Sequence, residues 1–312
     1  MVRDTLTTTA YWNQWVGFFE SSISDSIQRI SEPSKNLAYR PQYVRDLAFM
    51  HAKVMYYRYS RGDSISDLAQ YFDPLLLYWE ESERLGKDVW TSEQKHKRQS
   101  WSVNIDQYID CFWLIGLALA LDISEPQWRR LVVLCGNDGE DQLLDRIIAT
   151  RSPQRRIGRA LIYPKPYQRL LGALDASSSK QALRLSDFVE HWYKELATAV
   201  KSGSCAQAYS SQVPYWYRYH NPMKGAYFGY WCIEAVAAVK AFGLDDSLCI
   251  GHPHYPGDLL RPEQITVPDM SRLLRELAAT IGAPPEPPFT VEPRHLTKWE
   301  ALKMLIKNKL QS

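Results

Sequence analysis

Apolar residues recur at three- and four-residue spacing along most of the chain, and strict alternation is hard to find, so the pattern predicts helices almost throughout. Residues 42–61 carry Tyr43, Leu47, Met50, Val54, Met55 and Tyr57 on one broad stripe. Residues 64–85 open with Ser64 and Asp67 in capping-box spacing, and Pro74 is expected to bend or split that helix. Residues 103–122 form the most apolar helix, the expected centre of an N-terminal bundle. Ser124-Glu125-Pro126 reads as a helix start with Gly136 as its stop, and a short amphipathic helix follows over 140–150. Pro164 and Pro166 mark a connector. Beyond it a long helix over 177–200 places Leu183, Phe188, Trp192 and Leu196 on one side, and a Tyr-rich loop covers 201–224. An apolar helix over 225–242 closes at Gly243. Further helices are expected at 269–281 and 297–310, the last carrying Lys298, Lys303, Lys307 and Lys309, with the stiff spacer PPEPP at 284–288 between them.

No fixed period of solenoid length emerges. The expected organisation is all-α: an N-terminal helical bundle (1–150) and a connector (151–176), then a C-terminal helical domain (177–282) and a spacer with a terminal helix (283–312). The longest apolar run, Cys111 to Leu121, has 11 residues, short of the roughly 18–20 a membrane span requires. The first residues lack the apolar core of a secretory signal. Five widely spaced cysteines (Cys111, Cys135, Cys205, Cys232, Cys249) without a CxxC read as reduced thiols in a cytosolic protein.

Composition adds a globular interior, with 11 Trp, 19 Tyr and 9 Phe in 312 residues, and a net charge of only +2. That balance disfavours a globally basic nucleic-acid binder. The charges are nevertheless segregated. Residues 151–169 hold Arg151, Arg155, Arg156, Arg159, Lys165 and Arg169 with no acid, and 137–145 hold Asp138, Glu140, Asp141 and Asp145 with no base. A second acidic group, Glu80, Glu81 and Glu83, falls late in its helix, where the helix dipole disfavours it, so a surface role gains weight. The basic run reads either as a solvated helix and linker or as a phosphate-binding stretch.

Motifs that announce catalysis are missing: there is no GxSxG, GxGxxG or GxxxxGK[ST]. His191 and Glu195 stand four apart, as metal ligands on one helix can, but a surface polar pair explains them as well. His252-Pro253-His254 with Asp258 is either a chelating loop or a shaped connector, and His220 after Trp216-Tyr217-Arg218-Tyr219 is similarly open.

The segment 225–260 contains Tyr227, Gly229-Tyr230-Trp231, Glu234, the small-residue stretch Ala235 to Ala241, Leu244-Asp245-Asp246-Ser247 and Tyr255-Pro256-Gly257-Asp258-Leu259. In this order it resembles the C-terminal domain of the PoNi-type bacterial immunity proteins, with Cys232 and Ile233 as departures. The N-terminal half is similar, more loosely, to the partner domain of that family. The resemblance implies an all-α protein without cofactor that binds and neutralises a cognate toxin, often a nuclease delivered by contact-dependent secretion, in the cytoplasm of the producer. Tyr227, Tyr230, Trp231, Glu234, Tyr255 and Asp258 are then structural, with Glu234 a buried acceptor for a tyrosine hydroxyl or the Asp258 loop. An inhibitor of a nuclease can place carboxylates where phosphates would sit, and Asp138, Glu140, Asp141, Asp145, Glu80, Glu81 and Glu83 are the candidates for that contact. A helical metal-dependent hydrolase using Glu234 or the histidines, and a nucleic-acid binder using 151–169, are the alternatives.

Overall fold

The computed structural model describes residues 2–34, 36–197, 213–222, 227–263, 269–271, 273 and 275. Met1–Met270 form one compact unit and Ser271–Ser312 a second, of which Ser271, Leu273 and Arg275 are described and helical. The rest of the 269–281 helix, the 284–288 spacer, the lysine-bearing helix at 297–310 and most of the 201–224 loop, with Cys205, lie outside the described residues.

The first unit is built from α-helices, with short 3-10 turns and no strand among the described residues. Its N-terminal bundle comprises α1 (Thr9–Ser31), α2 (Arg40–Arg61), α3 (Phe72–Gly86), α4 (Ser92–Gln99), α5 (Ile105–Ala120) and α6 (Glu125–Cys135). They are followed by α7 (Gln142–Ala149), α8 (Pro164–Leu174), α9 (Ser178–Leu196) and α10 (Ile233–Phe242). In sequence-adjacent pairs, α1 packs on α2, α2 on α3 and α8 on α9. The helix pair α5–α10 joins the two halves.

Sequence explains most of these elements locally. The Asn104 side chain caps α5 at Gln107 N (3.1 Å), and every residue of the helix except Asp106, Asp110 and Ala120 is buried. Ser124 and Gln127 form a capping box ahead of α6, and Gly136 ends it at a φ of 58°. Close packing of α5 on α10 depends on Gly116, where an added Cβ would stand 2.8 Å from Ile233 Cγ2.

The helix over 64–85 is split, as expected, into a 3-10 turn at Ser66–Tyr71 and α3; the break falls just ahead of Pro74, which sits in the first turn of α3, where a missing N–H costs nothing. Four other expectations are corrected. Ser64 meets Ser66 there rather than closing a capping box. Pro164 and Pro166 do not mark a connector but open α8. On α9, Leu183 is 65% exposed while Leu185, Phe188, Val189, Trp192 and Leu196 are buried. Finally, the helix expected over 225–242 begins only at Ile233, so Tyr227, Tyr230 and Trp231 precede it.

The stretch ahead of α10 is an extended strap fixed to the N-terminal bundle. Ser60 donates to Phe228 O (2.7 Å) and accepts from the Trp231 indole (2.7 Å), and the Tyr11 hydroxyl donates to Tyr227 O (2.7 Å). Gly229 has a φ of 106°, and a Cβ there would lie 2.0 Å from Trp231 Nε1. Gly229→Ala combines an unfavourable φ with a collision, so we expect a loss of about 2 kcal/mol or more in chemical denaturation.

Candidate functional site

The seven candidate contact carboxylates divide into two kinds. Glu80 is held by Arg130 through two hydrogen bonds of 2.8 Å, and Glu81 by Arg84 through two of 2.6 Å. Glu83 accepts from Gln99 and faces Arg45 at 3.9 Å. Asp138 accepts from the backbone and guanidinium of Arg156, each at 2.8 Å. The Arg156 hydrogen bond holds the Asp138 carboxyl below its usual range, and Arg84 does the same for Glu81. Glu140 is exposed. Gln99 links the two acidic groups: its side chain holds Glu83, and its carbonyl accepts from Asn137 (2.9 Å), next to Asp138. Three of these five acids thus lie on α3 and two in the α6–α7 turn, with Gln99 of α4 bridging Glu83 to the turn, and Glu80, Glu81 and Asp138 each have their charge offset by an arginine of the protein itself.

Asp141 and Asp145 are different, and the expectation that they face a partner is corrected: both are 0% exposed. Asp141 caps α7 through the amides of Leu143 (2.9 Å) and Leu144 (2.7 Å), and also accepts from Ile162 N (2.9 Å) and the Tyr108 hydroxyl (3.0 Å). Asp145 accepts from the amides of Asp141 (2.9 Å) and Gly158 (3.1 Å) and pairs with buried Arg155 at 2.6 Å. Burial pushes both carboxyls up, and their hydrogen bonds and the Arg155 charge oppose it. Reversing these charges would thus attack the fold. It would not test a contact surface.

The basic run is largely consumed by the protein itself. Arg155 is buried against Asp145, Arg156 pairs with Asp138, Arg151 lies 3.4 Å from Glu125, and Arg169 bridges Asp187 (2.6 Å) and Glu195 (3.0 Å). Arg159 and Lys165 are exposed.

The motif residues meet in the interior. Tyr227 donates to Asp4, and the Tyr230 hydroxyl donates to His220 O (3.1 Å). Asp258 pairs with Arg3 at 2.5 Å and accepts from the Tyr59 hydroxyl. Arg3 in turn donates to the carbonyls of Tyr59 (3.1 Å) and Asp63 (2.7 Å). Tyr255 donates to Asp246 (2.5 Å), which also pairs with Arg261. Glu234 is fully buried, and its Oε1 accepts from Tyr167 (3.0 Å) and the Trp192 indole (3.1 Å). Its Oε2 and Trp113 Nε1 are in looser contact, short of a well-formed hydrogen bond. Burial pushes the Glu234 carboxyl up to about 7 and that of Asp4 to about 6. The residues that complete these contacts (Arg3, Asp4, Tyr59, Ser60) are remote in the chain, and nothing local in the sequence singles them out.

The histidines are used for packing. His191 Nδ1 faces Asp187 O (2.8 Å), while Glu195 is turned to Arg169. His252 meets Glu190 (3.2 Å) and His254 meets Tyr230 O (3.0 Å), fixing the loop that follows α10 against α9 and the strap. Asp258, the third member of that possible ligand set, is committed to Arg3. Among the described residues no group of three or more His, Cys, Asp or Glu is arranged to hold a metal ion, and no helix is long and apolar enough to cross a membrane.

Comparison with known proteins agrees with this architecture. Residues 3–133 match the family model for the N-terminal domain of the PoNe immunity proteins (PoNi), and residues 139–259 match that for the C-terminal domain. The two meet at the α6–α7 turn. The fold is similar to that in the crystal structure of protein PA2201 from Pseudomonas aeruginosa, with a TM-score of 0.58 and 17% identity over 81% of this chain and 86% of that one. No curated protein sequence gives a significant match. With its two domains matched in order over most of its length, the chain belongs to the PoNe immunity protein family.

Proposed function

We propose that the protein binds a cognate nuclease toxin in the cytosol and neutralises it by covering its nucleic-acid surface, without turnover of its own. We further propose that the toxin is a DNase effector of a type VI or related contact-dependent secretion system. The observation that carries the reading is the ordered match to both domains of an immunity family. The edge bearing Glu80, Glu81, Glu83, Asp138 and Glu140 is the proposed contact surface. Its carboxylates suit the cationic surroundings of a phosphate-binding site, and complementary charge speeds encounter. Because four of the five acids are held by the protein's own side chains, they are positioned in advance and lose little freedom on binding.

The test is co-expression with a candidate nuclease toxin taken from a reading frame adjacent to this gene. Cells producing both are expected to grow and retain intact DNA, while cells producing the toxin alone lose viability. Death of both cultures, despite soluble immunity protein, would remove the proposal.

A further inference from the structure

Residues 153–160 contain no regular element, yet hydrogen bonds fix them along their length. Beneath them Ser152 is buried and accepts from the Trp128 indole (2.9 Å). Arg155 N donates to Ser152 O (2.9 Å), and the Arg155 guanidinium reaches Asp145. Arg156 N is held by Asp138, Gly158 N by Asp145 (3.1 Å), and Ala160 O by Gln142 N (2.9 Å). Ile162 N ends the segment on Asp141 (2.9 Å). Gly158 lies so close to α7 that a Cβ would stand 2.4 Å from Asp141 N. Two buried carboxylates and a buried guanidinium, each costly to desolvate, are thus committed to the shape of one loop.

What that shape displays is specific. Pro153, Gln154, Arg156, Ile157, Arg159 and Ala160 are exposed, with Ile157 at 50%. Arg159 makes no ion pair among the described residues. The loop adjoins the acidic edge through Arg156, which holds Asp138. An apolar tip flanked by guanidinium groups is the composition of an interface anchor, and a loop fixed in advance avoids the ordering cost of binding.

We propose that loop 153–160 is the anchoring element of the partner interface, and that it enters an acidic cleft surrounded by a basic rim. This rests on the reading above. A nuclease surface offers both features, because carboxylates hold its catalytic metal while cations around them receive the phosphates. Ile157 occupies the cleft, Arg159 faces its carboxylates, and the acidic edge meets the rim.

The experiment uses the full chain and the catalytically inactivated nuclease domain of the toxin it protects against in the co-expression test, titrated by calorimetry. Ile157→Ala combined with Arg159→Glu is expected to weaken binding by about 100-fold while the protein stays folded with only a small change in thermal midpoint, since Ile157 is half exposed and Arg159 exposed. If that variant binds within about threefold of wild type, the loop is not the anchor, and the immunity reading stands. If the wild-type protein itself does not bind the toxin domain, both fall. A double variant that no longer folds would contradict the claim that these side chains are displayed, and would overturn the inference.

Discussion

Asp145→Ala is expected to lower the unfolding free energy by about 3–5 kcal/mol, because it leaves the Arg155 charge buried with its close partner removed. Arg155 is 4% exposed and Asp145 0%, and the two approach to 2.6 Å. Three further consequences add to the charge itself: the amides of Asp141 and Gly158 lose their acceptor, and loop 153–160 loses its floor. The contrast is with Glu80→Ala, which removes a half-exposed pair with Arg130 and is expected to cost no more than about 1 kcal/mol. Urea denaturation of the two variants side by side checks the ordering. Equal, small losses would mean that Asp145 is solvated, as its place in an acidic run suggests at first sight.

The second large effect is a pH dependence that Glu234→Gln removes. Glu234 titrates at about 7 in the folded protein and near 4.5 when exposed, so the folded state holds the proton more tightly. A raised folded-state value means stability fully present below about pH 4.5 and lost as pH rises to about 7. The loss approaches about 3 kcal/mol. Gln keeps the acceptor for Tyr167 and Trp192 without an ionising proton. The stability of Glu234→Gln relative to wild type should therefore rise by about 3 kcal/mol between pH 4.5 and pH 7.5 and be flat above it. Asp4, raised to about 6 by burial, gives the same sign over a lower window. His254, pushed down to about 3 by burial, and His220, also depressed, act oppositely: they bury neutral imidazoles and weaken the fold as pH falls below about 6.5. The wild-type profile should accordingly peak between these limbs. A difference between variant and wild type that does not change with pH would place Glu234 in contact with water.

These two residues also show why a site is harder to read from sequence than a fold. Glu234 follows Trp231 in an apolar stretch, and a carboxylate there needs a donor, so its burial was legible. Its donors lie on α8 and α9, far away in the chain, and nothing in their own neighbourhoods points to it. Asp141 and Asp145 stand in an acidic window that looks like a solvated face. They turn inward because Asp141 caps a helix while the chain returns over it with an arginine and a glycine amide. The same return accounts for the basic run: its charges answer acids that the sequence lists elsewhere.

Helix class, most helix starts and the apolar centre at α5 were fixed by local chemistry, because spacing of three and four, capping side chains and glycine stops act within a few residues. The ordered motif of residues 227–259 carried the family in the same way. Tertiary structure alone decided which charges are buried, how the strap crosses from Ser60 to Trp231, and which loop is displayed. Those outcomes depend on partners dozens to hundreds of residues apart, and whether a carboxylate is hydrated or paired is settled only when the chain closes around it.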